Sequence, residues 1–163
     1  MRYAAVVQRQ RKKRAASQPL HATMAAMKPQ LYILTGGSRG MGLAMAEQIL
    51  RQGHHLLTLS RQRNEGLESI AQAHQATLLQ WQHDLTAPMA AAEQLRNWLG
   101  TKVNHQFERA VLINNAGVIP PIAPLSHSDW TAISQALRVG LEAPMLLTSA
   151  FLQATESWPI ARQ

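Results

Sequence analysis

Between Thr35 and Gly42 the chain reads Thr-Gly-Gly-Ser-Arg-Gly-Met-Gly, with Gly36, Gly40 and Gly42 spaced around a single arginine. Residue types in this pattern suit the holding of a phosphate. A tight turn needs positive φ, a pyrophosphate needs close approach of bare backbone, and a helix packed hard on its strand leaves no room for a Cβ. The free N–H groups and the dipole at the start of that helix then attract the anion. Glycines also punctuate ordinary turns, so the neighbours decide. An apolar run, Leu31-Tyr32-Ile33-Leu34, comes before, and an apolar-periodic segment opens at Leu43. Strand, glycine turn and helix start together point to nucleotide binding.

The elements that must position such a turn alternate along the chain. Leu43, Ala44, Ala46, Ile49 and Leu50 form a helical stripe that Gly53 ends, and His54–Ser60 makes a second strand. A helix near Glu65–His74, a third strand over Thr77–Gln82, a helix over Pro88–Leu99 and a fourth strand over Arg109–Ile113 follow. Residues 119–124 hold three prolines and must be a loop, because proline continues neither a ladder nor a helix. A long apolar helix runs from about Asp129 to Phe151 or beyond. The alternation predicts an α/β fold, a parallel sheet with helices on both faces.

The spacing TGxxxGxG differs from the commoner G-x-G-x-x-G and resembles the short-chain dehydrogenase/reductase family. Asn114-Asn115-Ala116-Gly117, after Val111-Leu112-Ile113, is similar to that family's NNAG segment, and Asp84 matches its acidic residue beside the adenine. The resemblance covers about residues 28–155 and implies a Rossmann-type doubly wound sheet, truncated after about four strands and the long helix. It implies an oxidoreductase that, in full, reduces a carbonyl or oxidises an alcohol, and that forms homo-oligomers. It also implies cofactor contacts: Gly36, Ser38, Arg39, Gly40, Met41 and Gly42 at the pyrophosphate and 2′-phosphate, Asp84 and Leu85 at the adenine, and Asn115, Ala116 and Gly117 on the adenosine ribose side.

Charge bears on the choice of cofactor. An acidic residue at the end of the second strand favours NAD, whereas arginine there accommodates the 2′-phosphate of NADP. The second strand ends Ser60-Arg61, with Arg63 following and no acid before Glu65. Arg61, aided by Arg39, therefore favours NADP(H), while at least one of Arg61 and Arg63 is expected to sit in a solvated loop.

Catalytic residues do not follow from the same resemblance. The family uses a tyrosine as proton donor and acceptor, a lysine four residues later and an upstream serine, because hydride addition to a carbonyl leaves an alkoxide to be protonated. The only tyrosines are Tyr3 and Tyr32, and their i+4 residues are Val7 and Gly36. No catalytic residue is assigned within 1–163. Gly140 stands where the family carries a catalytic asparagine. Pro144, four residues on, lacks an N–H and should kink the helix there and free the Gly140 carbonyl.

Charge and composition set further limits. Residues 1–26 hold Arg2, Arg9, Arg11, Lys12, Lys13 and Arg14 without an acid, so +6 of the formal +7 belongs to this tail. The remaining domain, 27–163, is near neutral, which argues against nucleic-acid binding by the folded part. The tail reads most simply as an over-extended start or a disordered leader, since Met27-Lys28-Pro29 resembles a native start. Organelle targeting and contact with nucleic acid are the minor alternatives. The absence of cysteine excludes disulfides and thiol catalysis and fits a cytoplasmic protein. The seven histidines show no ligand spacing, so no metal is expected. No apolar stretch reaches membrane-span length. Methionines and tryptophans are expected in packing roles. Finally, a four-stranded sheet would leave the fourth strand as an open edge, and the long helix would expose Ile133, Leu137, Leu141, Met145, Leu146 and Phe151.

Overall fold

The computed structural model describes residues 28–102 and 106–163; the expectations for the basic tail lie outside the described residues. Five parallel strands form one sheet in the order β3-β2-β1-β4-β5. They are β1 (Leu31–Thr35), β2 (His55–Ser60), β3 (Thr77–Gln82), β4 (Arg109–Ile113) and β5 (Ala161–Arg162). Helices α1 (Gly40–Arg51), α2 (Gly66–Ala73) and α3 (Pro88–Gly100) alternate with the first four strands. Between β4 and β5 lie α4 (Trp130–Leu137), a π-turn (Arg138–Glu142) and α5 (Ala143–Ala154). Among the described residues no helix is long and apolar enough to cross a membrane.

Period-2 alternation explains why helices cover both faces. Leu31 and Ile33 of β1, with Leu57 and Leu59 of β2, bury into a core that includes Ala91, Leu95 and Leu99 of α3 and Leu147 and Phe151 of α5. Leu34 and Leu56 point the opposite way, into a second core with Ala46, Ile49 and Leu50 of α1 and Leu67 and Ala71 of α2. A strand buried on both faces is apolar along most of its length, and in β2 Leu56–Ser60 are all buried, with Leu56, Leu57 and Leu59 interrupted only by Thr58 and Ser60. The chain leaves β1 toward β2 and β3, then returns to the other side of β1 for β4. The crevice at this reversal is where open α/β sheets bind ligands.

The expected four-stranded sheet is corrected to five. Ala161 and Arg162 pair with Arg109 and Ala110 of β4, and the Leu112 N–H donates to the Gln163 carbonyl at 2.7 Å. The first half of β4 is therefore not an open edge. Two aromatic groups bring the chain back: Trp158 is buried and stacks on Phe107 with ring centres 6.2 Å apart. The Thr155 hydroxyl donates to the Phe151 carbonyl at 2.7 Å where α5 ends. A two-residue strand is too short for any periodicity to signal.

The expected exposure of the long helix is also corrected in part. Phe151 is fully buried and Ile133 and Leu146 are half-buried, whereas Leu137, Leu141 and Met145 face solvent. The interruption expected near Gly140 takes the form of a π-turn, in which the Ala143 N–H reaches back five residues to the Arg138 carbonyl. Pro144, one position later, has no N–H with which to resume the α pattern. The packing roles expected of methionine and tryptophan fail at Met41, Met89, Met145 and Trp130, all of which are exposed. Trp81 and Trp98 do pack, edge to face at 5.5 Å, with the Lys102 ammonium 4.6 Å above the Trp98 ring.

At the opposite end of the sheet from the crevice, His54 stacks on Tyr32 and His55 meets the edge of Phe107. Burial lowers the pKa of both, and for His55 the charges of Lys102 and His54 add to the effect. A histidine whose folded pKa lies below its unfolded value of about 6.5 takes up its proton more readily when the chain unfolds. Its stabilising contribution is complete above that value and is lost as pH falls toward the folded pKa. Melting temperature is therefore expected to drop between about pH 7.5 and about pH 5.5. The double variant His54→Gln/His55→Gln should show a flatter profile over that interval in a thermal-denaturation series.

Candidate cofactor site

The turn after β1 is built by contacts that its residue types require. Gly36 has φ +73°, a conformation that favours glycine, and its N–H donates to the Leu59 carbonyl of β2 at 2.8 Å. A Cβ at Gly42 would overlap the Gly36 carbonyl oxygen and come within 2.5 Å of the Asn115 amide nitrogen. The first turn of α1 thus lies directly on the strand end.

The Thr35 hydroxyl ties the turn to the end of β4. It accepts from the backbone N–H groups of Asn115 and Ala116, both at 2.9 Å. In return, the Asn115 amide donates to the Thr35 carbonyl at 3.0 Å and to the Gly36 carbonyl at 3.3 Å. The Asn115 side-chain amide and backbone N–H are therefore both engaged inside the protein. On the other side, the Asn64 side-chain amide donates to the Ser38 carbonyl at 3.1 Å and its oxygen accepts from the Gly66 N–H at 3.0 Å, while the Asn64 backbone N–H and carbonyl are both bonded by the Gln80 side chain of β3. Asn64→Ala is expected to cost about 1 kcal/mol of stability, as the loss of part-exposed neutral hydrogen bonds does. Denaturant unfolding of the variant measures it.

Around this scaffold lies a cleft of about 680 Å³, within the range of small-molecule sites. All twelve residues singled out from the sequence line it. Gly36, Ser38, Arg39, Gly40, Met41 and Gly42 form the floor at the start of α1, where no side chain caps the helix and no acid occupies its first turn. That leaves the N-terminal N–H groups and dipole available to an anion. Arg61 and Asp84 stand beyond the ends of β2 and β3, while Asn115, Ala116 and Gly117 follow β4. Leu85 contributes to the wall but buries its side chain in the core. Arg63 does not line the cleft. Among the described residues the one ion pair is Glu47–Arg51, so Arg39 and Arg61 reach the cleft unpaired.

The Asp84 carboxylate accepts from the Thr86 backbone N–H at 3.0 Å. That bond and then one from the Thr86 side chain hold its pKa below the ordinary carboxylate value against the opposing effect of burial, and the charge of Arg61 adds the smallest contribution. Asp84 is thus ionised and fixed in orientation.

Seven lining residues were not singled out from the sequence, and two of them, Ser60 and Val139, bear on the chemistry. Ser60, at the end of β2, is buried, and its hydroxyl has no hydrogen-bond partner. A buried polar atom without a partner at the edge of a cleft is suited to a ligand. Its place just before Arg61 was the available signal. Val139, in the π-turn, arrives from a distant part of the chain, and no local pattern marks it.

The sequence profile described as short chain dehydrogenase matches residues 30–158. The chain belongs to this family. The short-chain dehydrogenase fold is shared by a short-chain dehydrogenase/reductase from Burkholderia vietnamiensis, which superposes with a TM-score of 0.72 at 32% identity over 83% of this chain and 61% of that one. A metagenomic short-chain oxidoreductase solved in complex with NADP superposes with a TM-score of 0.67 at 27% identity, over 79% of this chain and 57% of that one. In sequence, the chain is 31% identical over 129 residues to the (S)-benzoin-forming benzil reductase of Bacillus subtilis, covering 79% of this short-chain dehydrogenase and 50% of the relative. The chain spans about half the length of the curated relatives it matches first.

Proposed function

We propose that these residues form the cofactor-binding part of an NADP(H)-dependent short-chain oxidoreductase that reduces a carbonyl or oxidises an alcohol by hydride transfer. The observation that carries the reading is the pairing of Arg39 and Arg61 at a cleft where the buried Ser60 hydroxyl lacks a partner. A 2′-phosphate would satisfy all three, since arginine forks match phosphate oxygens and a hydroxyl can donate to them. NAD would offer a neutral ribose hydroxyl to two cations, which is a poorer match.

The N–H groups of Gly40–Gly42 would hold the pyrophosphate, Asp84 and the Leu85 backbone would border the adenine, and the backbone of Asn115–Gly117 would border the adenosine ribose. When bound, the nicotinamide supplies or accepts the hydride. The metagenomic relative solved with NADP and the benzil reductases agree with a nicotinamide cofactor and a ketone substrate. The exposed Leu137, Leu141 and Met145 favour self-association, and the lack of cysteine favours the cytoplasm.

The test is a fluorescence titration of the chain with NADPH and NADH. NADPH is expected to bind at least about tenfold more tightly, as one good charged contact would ensure; equal affinities would overturn the NADP assignment. A second reading, a nucleotide-binding module without turnover, is favoured by the absence of any Tyr-x-x-x-Lys from residues 1–163. Ketone-dependent NADPH oxidation by this chain alone would refute that second reading.

A further inference from the structure

An edge strand leaves one row of backbone groups without partners, and β3 is such a strand. The His83 N–H donates to the Ser60 carbonyl at 3.0 Å. Because bonding groups alternate along a strand, Leu79 and Trp81 bond to β2, while the N–H and C=O groups of Leu78, Gln80 and Gln82 point outward. Among the described residues no loop or side chain bonds to that outward row; Gln80 meets Asn64 through its side chain alone. Natural edges are kept apart by charge, proline or a bulge. Thr77-Leu78-Leu79-Gln80-Trp81-Gln82 holds no charge and no proline, and its register with β2 is unbroken by a bulge.

The pattern of the strand indicates what pairs with it. In an antiparallel pair about a two-fold axis through Gln80, that residue faces its own copy and Leu78 faces Gln82, each pair exchanging both of its backbone hydrogen bonds. The intervening positions then set Leu79 directly opposite Trp81 in both halves. These two side chains share the sheet face on which Trp81 meets Trp98 of α3 edge to face, and Leu79 is 37% exposed there. Pairing would cover each exposed leucine with an indole ring, an aromatic–aliphatic cross-strand contact of the stabilising kind. Charge agrees as well. Asp84, the first charged residue after the strand, would fall opposite Ala76 and not opposite another acid. A foreign peptide would find no charge on the strand by which to be selected, whereas the strand's own copy meets it in register.

We propose that β3 is a self-pairing edge through which two copies of this chain join their sheets into one continuous sheet. The inference is independent of the oxidoreductase reading, and its surface is separate from the exposed Leu137, Leu141 and Met145 of α4, the π-turn and α5.

The chain has no cysteine, so single introduced cysteines report the register without background. Residues facing each other in a hydrogen-bonded antiparallel pair have Cα atoms about 5.5 Å apart, a separation that a disulfide spans. Gln80→Cys, oxidised with copper–phenanthroline in air, is expected to give a covalent dimer on non-reducing electrophoresis. Gln82→Cys, whose two copies would lie more than about 13 Å apart, is expected to run as the single chain. Gln82→Pro removes an outward N–H and leaves the ladder to β2 intact, so it should keep the wild-type circular dichroism while halving the mass measured by light scattering. Leu79→Lys places a charge on the same edge at an exposed position and should halve the mass as well, which decides the matter if the proline unfolds the chain. A monomeric wild type would overturn the proposal, and would leave a partner's extended peptide as the occupant of the edge. So would a covalent dimer formed by both cysteine variants or by neither, or a mass that folded Gln82→Pro and Leu79→Lys leave unchanged.

Discussion

Gly42→Ala is expected to cost about 3 kcal/mol of stability and to lower the melting temperature by roughly 10 °C. The added Cβ would collide with the Gly36 carbonyl oxygen and crowd the Asn115 amide, and both belong to the network that closes the turn on β4. Neither neighbour can yield cheaply. The Gly36 carbonyl is backbone, and moving Asn115 breaks its bonds to the Thr35 and Gly36 carbonyls. Gly40→Ala is the matched control. Gly40 has φ +57° but nothing within 4 Å of its Cβ position, so it carries only the left-handed backbone penalty, about 1 kcal/mol. Calorimetry on the two variants separates crowding from backbone strain. Equal destabilisation would mean that α1 does not lie against the strand end as described. NADPH affinity should fall with Gly42→Ala as well, because displacing the helix moves the N–H groups that face the cleft.

Removing both cleft arginines, Arg39→Ala with Arg61→Ala, is expected to weaken NADPH binding by about 100-fold, because charge-assisted hydrogen bonds contribute about 1.5–3 kcal/mol each and a factor of ten is 1.4 kcal/mol. NADH affinity should change less than about threefold, since long-range attraction to its pyrophosphate is screened by salt. Both side chains are solvent-exposed and without an ion-pair partner among the described residues, so stability should stay within about 0.5 kcal/mol. Parallel titrations with the two cofactors at fixed salt decide the matter. An equal loss for NADH and NADPH would show that the arginines serve the pyrophosphate instead.

Most of the cleft's floor was legible because its chemistry is local. A tight turn demands glycine where φ is positive or a Cβ cannot fit, and Gly36, Gly40 and Gly42 declare that demand within seven residues. The alternation of β1 through β4 with α1 through α3 was legible for a similar reason: each element repeats an apolar period long enough to read. β5 was not, because two residues carry no period and its pairing depends on Trp158 reaching Phe107. Nor was the burial of Phe151, which depends on α3 packing against α5.

The sequence by itself determined the fold class, the family and the residue types that face the crevice, since short-range sterics and hydrophobic periodicity act between neighbours in the chain. Tertiary structure alone decided that Thr35 binds the backbone of Asn115 and Ala116, eighty residues away. It also decided that Ser60 is buried without a partner, that Val139 closes the wall from the π-turn, and that the loop after Gly117 holds its isoleucines in water. Each of these outcomes depends on which surfaces meet after the sheet reverses at β1, and distance along the chain carries no record of that.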